Sequence, residues 1–152
     1  MKLAFVFPGQ GSQTVGMLDS FADNAVVQAA LKTANDALGE NLAEMIHSGP
    51  AESLNMTVNT QPAMLTSSVA LYQAWLALGG KKPEVMAGHS LGEYSALTAA
   101  GVFDLADAVR LVRFRATAMQ QAGPVGHGGI AAIIGLCDDE RGPCCHAASA
   151  YG

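Results

Sequence analysis

Charged side chains are scarce in this chain of 152 residues: they make up 14% of it, against roughly 25% in an average soluble domain. The eight Lys and Arg are outweighed by thirteen Asp and Glu, for a net charge of −5. That balance excludes a nucleic-acid binder, because neutralising phosphates needs concentrated basic charge. Cysteine is nearly absent too. Its three copies, Cys137, Cys144 and Cys145, all lie close to the C-terminus, which rules out a disulfide framework through the body of the chain. The vicinal pair followed by His146 matches no zinc-ligand spacing, so no metal is expected. A long uninterrupted apolar run is also missing. Residues 55–80 carry no charge, but Asn59, Gln61, Pro62, Ser67, Ser68 and Gln73 interrupt them, which predicts a buried helix rather than a membrane span. The opening "MKLAFVFPGQ" has too short an apolar run for a secretion signal. These absences together predict a cytoplasmic protein.

What is present is apolar: half the residues are hydrophobic. The length suits one domain with a sizeable core. "LAFVF" (3–7), stopped by Pro8-Gly9, reads as a buried strand, and "EVMAG" (84–88) and "IAAIIGL" (130–136) read as further strands. Helical spacing covers 24–38, 61–79, 91–100 and 104–121, with Gly101 as a C-terminal cap and Asp104 as an N-cap. The helix over 61–79 is apolar nearly all round, Trp75 and Leu78 included, and should sit deep. "GPVGHGG" (123–129) reads as a loop or linker, and there is no internal repeat. Strands alternating with helices predict an α/β fold with a parallel sheet.

Two glycine-rich turns carry the chemistry. "GHSLGEYSAL" (88–97) places Ser90 within G-x-S-x-G, after a strand and before a helix. A nucleophile elbow needs that context, because the turn exposes the serine oxygen and the helix N-terminus faces developing negative charge. The competing reading is a Gly/Ser turn that merely packs against a helix. "PGQGSQ" (8–13) also follows a strand. A dinucleotide site would need a third glycine at position 14, which is a threonine, and Gly16 comes too late. The loop suits close approach of backbone N–H groups to another site. In the helix over 104–121, Arg110, Arg113, Thr117 and Gln121 share a polar face, and Arg115 falls among Ala108, Leu111, Val112 and Met119. An arginine on a buried face needs an anionic partner, internal or external, unless its side chain snorkels out to solvent.

"FPGQGSQ", "TQPAMLTSSVALY" (60–72), "GHSLGEYSAL" and "RFRATAMQ", in this order and at these separations, resemble malonyl-CoA:acyl carrier protein transacylase of bacterial fatty acid synthesis. The resemblance covers about residues 3–136 and weakens beyond Leu136. It implies an α/β-hydrolase-like large subdomain with a parallel sheet, of which residues 1–124 would be the N-terminal part. An inserted ferredoxin-like small subdomain would begin at about residue 125 and be cut short within 125–152.

The same resemblance implies a ping-pong acyl transfer without a cofactor. Ser90 would attack malonyl-CoA and become malonylated, and the pantetheine thiol of acyl carrier protein would take the group. Backbone N–H groups of Leu91 and Gln10 would form the oxyanion hole. Arg115 would hold the free malonyl carboxylate as a bidentate pair. The family's catalytic histidine would lie beyond residue 152. His89 reads as structural, His127 falls in the linker, and His47 and His146 match no catalytic position. The chain alone is therefore expected to be nearly or wholly inactive. Other readings are a different G-x-S-x-G serine hydrolase, a non-catalytic acyl-CoA or carrier-protein binding fragment, and an acyltransferase domain of a polyketide synthase. Met1, two residues before the first strand, favours the free-standing enzyme over the last of these.

Overall fold

The computed structural model describes residues 2–123, together with Gly142 and His146. The strand expected at 130–136, the linker beyond Gly123, the cysteines, His127 and the subdomain boundary at 125 lie outside the described residues. By its internal contacts the chain divides into Met1–Met119 and Gln120–Gly152, and the sheet and the buried core belong to the first part.

Two strands, β1 (Ala4–Phe7) and β2 (Val85–Gly88), pair in parallel with Ala4 opposite Val85 and Phe7 opposite Gly88. A short 3-10 turn (Asp19–Phe21) and four α-helices connect them: α1 (Ala25–Leu38), α2 (Leu42–Ser48), α3 (Ala51–Leu54) and α4 (Thr57–Ala77). After β2 come α5 (Leu91–Ala99) and α6 (Leu105–Gln121). The parallel α/β arrangement expected from the sequence is therefore present.

Local chemistry accounts for the boundaries. Asn24 caps α1, its side-chain oxygen accepting from the Val26 and Val27 N–H groups at 3.0 and 3.2 Å, and Gly39 closes the helix in the left-handed conformation. Such a cap contributes about 1 kcal/mol. Asn41 caps α2 in the same way. The short α2 and α3 are too brief for a helical repeat to declare them.

Helix α4 is the axis of the core. Residues 60–67 are buried without a break, so this stretch is surrounded on all sides. Around it pack Val27, Leu31 and Ala34 of α1, Leu42 and Ile46 of α2, Leu54 of α3, and Val109 and Val112 of α6. A second cluster seats Phe7, Tyr72 and Ala96 beneath the sheet, with Phe5 and Phe7 both edge-on to Tyr72. Three expectations need correction. The strand at 3–7 is not buried as a whole: Phe7 is buried but Val6 is 78% exposed, because the cluster under the sheet covers one face only. Helix α4 begins at Thr57 rather than 61, because the α3 turn feeds directly into it and Thr60 Oγ1 donates to the Leu54 carbonyl at 2.6 Å. Pro62 lies inside α4, past the first turn where its missing N–H would go unnoticed. Burial also fades at the C-terminal end: Trp75 is 43% and Leu78 80% exposed, because α4 outruns the elements that cover it. Among the described residues no helix is long and apolar enough to cross a membrane.

Close backbone packing fixes where β1, β2 and α5 meet. A Cβ on Gly88 would run into the backbone of Gly92, and one on Gly92 into the Phe7 carbonyl. No side chain can yield there, because the obstacle is main chain. Gly92→Ala should lower stability by about 3 kcal/mol or more, the upper range for an overpacked site, as a drop in the urea midpoint. A midpoint within a few tenths molar of the wild type would contradict this packing.

Elsewhere, His47 on α2 meets Asp19 through Nδ1 and Oδ1 at 2.7 Å. The carboxylate raises the imidazole above its ordinary value of 6.5, first by the hydrogen bond and then by its charge. The stability from this exposed pair is fully present below that ordinary value and is lost as pH rises through the raised one. Asp19→Asn should return His47 toward 6.5 in an NMR titration, and an unchanged titration would remove Asp19 as the cause.

Candidate active site

Ser90 sits between the end of β2 and the first residue of α5, with φ 54° and ψ −113°. Among the described residues it is the one non-glycine residue with positive φ. Such a backbone costs on the order of 1–3 kcal/mol and persists only where the surroundings impose it. Here they do: the glycines on either side lock strand to helix, and the turn between them has one shape left. The strain lifts Ser90 to the surface, where it is exposed, while Leu91 behind it is buried.

The loop after β1 lies against this turn. A Cβ on Gly9 would stand 3.1 Å from the His89 carbonyl oxygen, so the two backbones run close together. Gln10 is tied down by its side chain, whose Nε2 donates to Thr57 Oγ1 at 3.0 Å. Gln13 is tied to Asn55 at 2.9 Å, and its Oε1 accepts from the Gly11 N–H at 2.8 Å. The "GQGSQ" loop is thus pinned to the start of α4. Among the described residues neither the Leu91 nor the Gln10 N–H has an intramolecular acceptor. For Leu91 that is the ordinary state of a helix's first N–H.

Arg115 reaches the serine from α6. Its Nη2 donates to Ser90 Oγ at 2.9 Å and its Nη1 to Gln61 Oε1 at 2.6 Å. Its guanidinium carbon lies 5.4 Å from the centroid of the Tyr94 ring, one helical turn after Ser90 on α5. The expectation that Arg115 lies among Ala108, Leu111, Val112 and Met119 is only partly right. The buried stripe of α6 is Ala108, Val109, Val112 and Ala116, and Leu111 and Met119 are 38% and 39% exposed. Arg115 therefore flanks the stripe and is half-buried. Arg113, expected on the outward polar face, flanks the other side and pairs with Glu40 at 2.6 Å.

The partners of Arg115 matter most. On α6, Arg110 pairs with Asp107 at 3.0 Å and Arg113 with Glu40. Arg115 has no carboxylate partner among the described residues; its contacts are a serine, a neutral amide and an aromatic face. A half-buried cation without a counter-charge beside an exposed serine has the electrostatics that an incoming anion would complement. Gln61 is the contact of Arg115 that sequence reasoning missed. It counted only as a polar interruption in an apolar run, although a buried amide always needs partners.

Of the histidines, His89 is exposed beside Ser90 but makes no hydrogen bond to it among the described residues, and His47 is engaged by Asp19. His146 is described only as exposed. Arg115 cannot take a proton from Ser90. Its donation to Oγ leaves the serine hydrogen free to go elsewhere and favours a developing negative charge on the oxygen.

A strand, a strained serine turn between two glycines, a helix directed away from it and a second glycine-rich loop at its side have the form of a nucleophile elbow on an α/β scaffold. The chain belongs to the acyl transferase domain family, whose model matches residues 4–145. That match continues past Leu136, where the resemblance in the sequence weakens. The chain is 58% identical over 149 residues to the malonyl CoA-acyl carrier protein transacylase of Escherichia coli, covering 97% of this chain and 48% of the relative. It is 43% identical to the enzyme of that name from Staphylococcus aureus, covering 97% and 47%. Among solved structures, the acyl-carrier-protein S-malonyltransferase of Burkholderia pseudomallei superposes with a TM-score of 0.91 at 59% identity, covering 98% of this chain and 49% of that one. A malonyl-transacylase in complex with a type II PKS acyl-carrier protein gives 0.90 at 48% identity, covering 97% and 48%. The chain spans about half the length of the relatives it matches.

The strain at Ser90 is directly measurable. Ser90→Gly should be more stable than Ser90→Ala by about 1 kcal/mol, because glycine alone adopts positive φ freely. Equal stability of the two variants in urea unfolding would mean that the turn is not strained.

Proposed function

We propose that this chain forms the nucleophile-bearing part of an acyltransferase that moves a malonyl group from malonyl-CoA to the pantetheine thiol of acyl carrier protein. The observation that carries the reading is Arg115: an uncompensated guanidinium donating to the oxygen of a strained, exposed serine. A simple ester hydrolase has no use for that charge, whereas a substrate with a free carboxylate supplies its missing partner.

In this reading Ser90 Oγ bonds to the thioester carbon, the carbon–sulfur bond breaks, and CoA leaves with a proton. The carrier-protein thiol then attacks the malonyl-serine ester and restores Ser90. The Leu91 N–H at the start of α5 and the Gln10 N–H in the pinned loop stabilise the oxyanion, with the donors fixed before reaction. Arg115 pairs with the distal carboxylate and sets the acyl group's orientation. The proton of Ser90 goes to a base outside the described residues, since no described group in contact with Oγ accepts one. No cofactor enters this chemistry, and a cytoplasmic location goes with it. Residues 1–124 belong in this reading to a large subdomain, and 125–152 to the start of a small ferredoxin-like one. A polyketide carrier protein is a second acceptor consistent with the similarity to the transacylase bound to such a protein.

In the chain extended to the length of its relatives, malonyl-CoA should add one malonyl group, seen by intact mass and mapped to Ser90. Ser90→Ala should abolish the adduct. An adduct of equal yield in that variant would sink the assignment.

A further inference from the structure

Arg115 is held in place by a residue that leaves its charge intact. Gln61 lies on α4, one turn after Thr57, and is completely buried. Its Oε1 accepts from Arg115 Nη1 at 2.6 Å and its Nε2 faces Met119 Sδ at 3.3 Å. The guanidinium has donors only, so the amide must present its oxygen there, and the remaining NH₂ falls to the thioether, a weak acceptor. The reversed amide would set donor against donor. Gln61 thus has one usable orientation, on a helix whose backbone the core immobilises.

We propose that Gln61 is a positioning residue that orients the Arg115 guanidinium over Ser90 without neutralising it. This rests on the reading of Arg115 as the anchor for the substrate's free carboxylate. A glutamate of the same length would hold the arginine as firmly, as Glu40 holds Arg113. It would also form a buried ion pair and cancel the charge that an incoming carboxylate needs. An apolar side chain would leave the charge but release Nη1, so the flexible stem could carry the guanidinium away from Ser90. The neutral amide satisfies both requirements. Tyr94 is of the same kind, since an aromatic face attracts the cation without neutralising it.

The test follows the Arg115 side chain of the 152-residue protein by ¹⁵N NMR, assigned by loss of its signals in Arg115→Lys, with malonate and acetate as probes at equal ionic strength. In the wild type the two Nη signals should be resolved, because bonds at both restrict rotation about Nε–Cζ. Malonate should shift them at concentrations where acetate has little effect. In Gln61→Glu the signals should stay resolved while malonate affinity falls on the order of tenfold or more, as expected when the site's charge is already paired. In Gln61→Leu the signals should coalesce and malonate affinity should fall as well; Gln61→Met takes its place if the backbone spectrum shows that the leucine variant is unfolded. Resolved signals in the folded apolar variant would overturn the proposal, as would undiminished malonate affinity in Gln61→Glu. The function itself fails separately: if wild-type Arg115 responded equally to malonate and acetate, the carboxylate-anchor reading would fall while the rotation data still reported on Gln61.

Discussion

A guanidinium with no carboxylate to answer it stands 2.9 Å from the oxygen of a serine in a strained turn. Much of the rest of the structure makes that contact possible. The serine end depends on main-chain packing, in which Gly88, Gly92 and the end of β1 approach too closely for any side chain. The arginine end depends on α6 burying Ala108, Val109, Val112 and Ala116, the first three of them in one core cluster with residues of α1 and α4. Burial of that stripe places Arg115 beside it, where its side chain bonds to both Ser90 and Gln61.

Helix α4 links the two halves of the site. Thr57 and Gln61 are four residues apart and so share a face. One holds the loop that presents the Gln10 N–H, and the other holds Arg115. Because residues 60–67 are buried throughout, this face cannot shift without disturbing the core. The geometry around Ser90 is thereby coupled to global stability. Close packing converts a weak local preference into a defined arrangement of donors.

The elbow was legible in the sequence because its determinants are local: an apolar run, two glycines around a serine, and helical spacing after them. Gly101 and the strands at β1 and β2 were legible for the same reason. The helix from Thr57 was misjudged because Pro62 resembles a helix start, and only tertiary enclosure makes an interior proline tolerable at that point. Trp75 and Leu78 looked like core because apolarity marks what can be buried, whereas coverage depends on what lies alongside. Arg115 was recognised as unusual from its place near the apolar stripe, but which arginine of α6 lacks a carboxylate depends on Glu40, 73 positions away in the chain from Arg113. Gln61 escaped notice because its partner arrives from an element 54 residues later.

The central claim is that Arg115 is kept uncompensated for a substrate carboxylate, and charge selectivity tests it most directly. The measurement is the rate of carrier-protein acylation by malonyl-CoA and by acetyl-CoA, for the wild type and for Arg115→Ala, in the chain extended to the length of its relatives. Losing one partner of a hydrogen-bonded charge pair costs roughly 2–5 kcal/mol. Malonyl transfer should therefore fall by about thirtyfold or more, while acetyl transfer, which has no distal carboxylate, should change far less. An equal fall for both acyl groups would make Arg115 a structural support and contradict the claim.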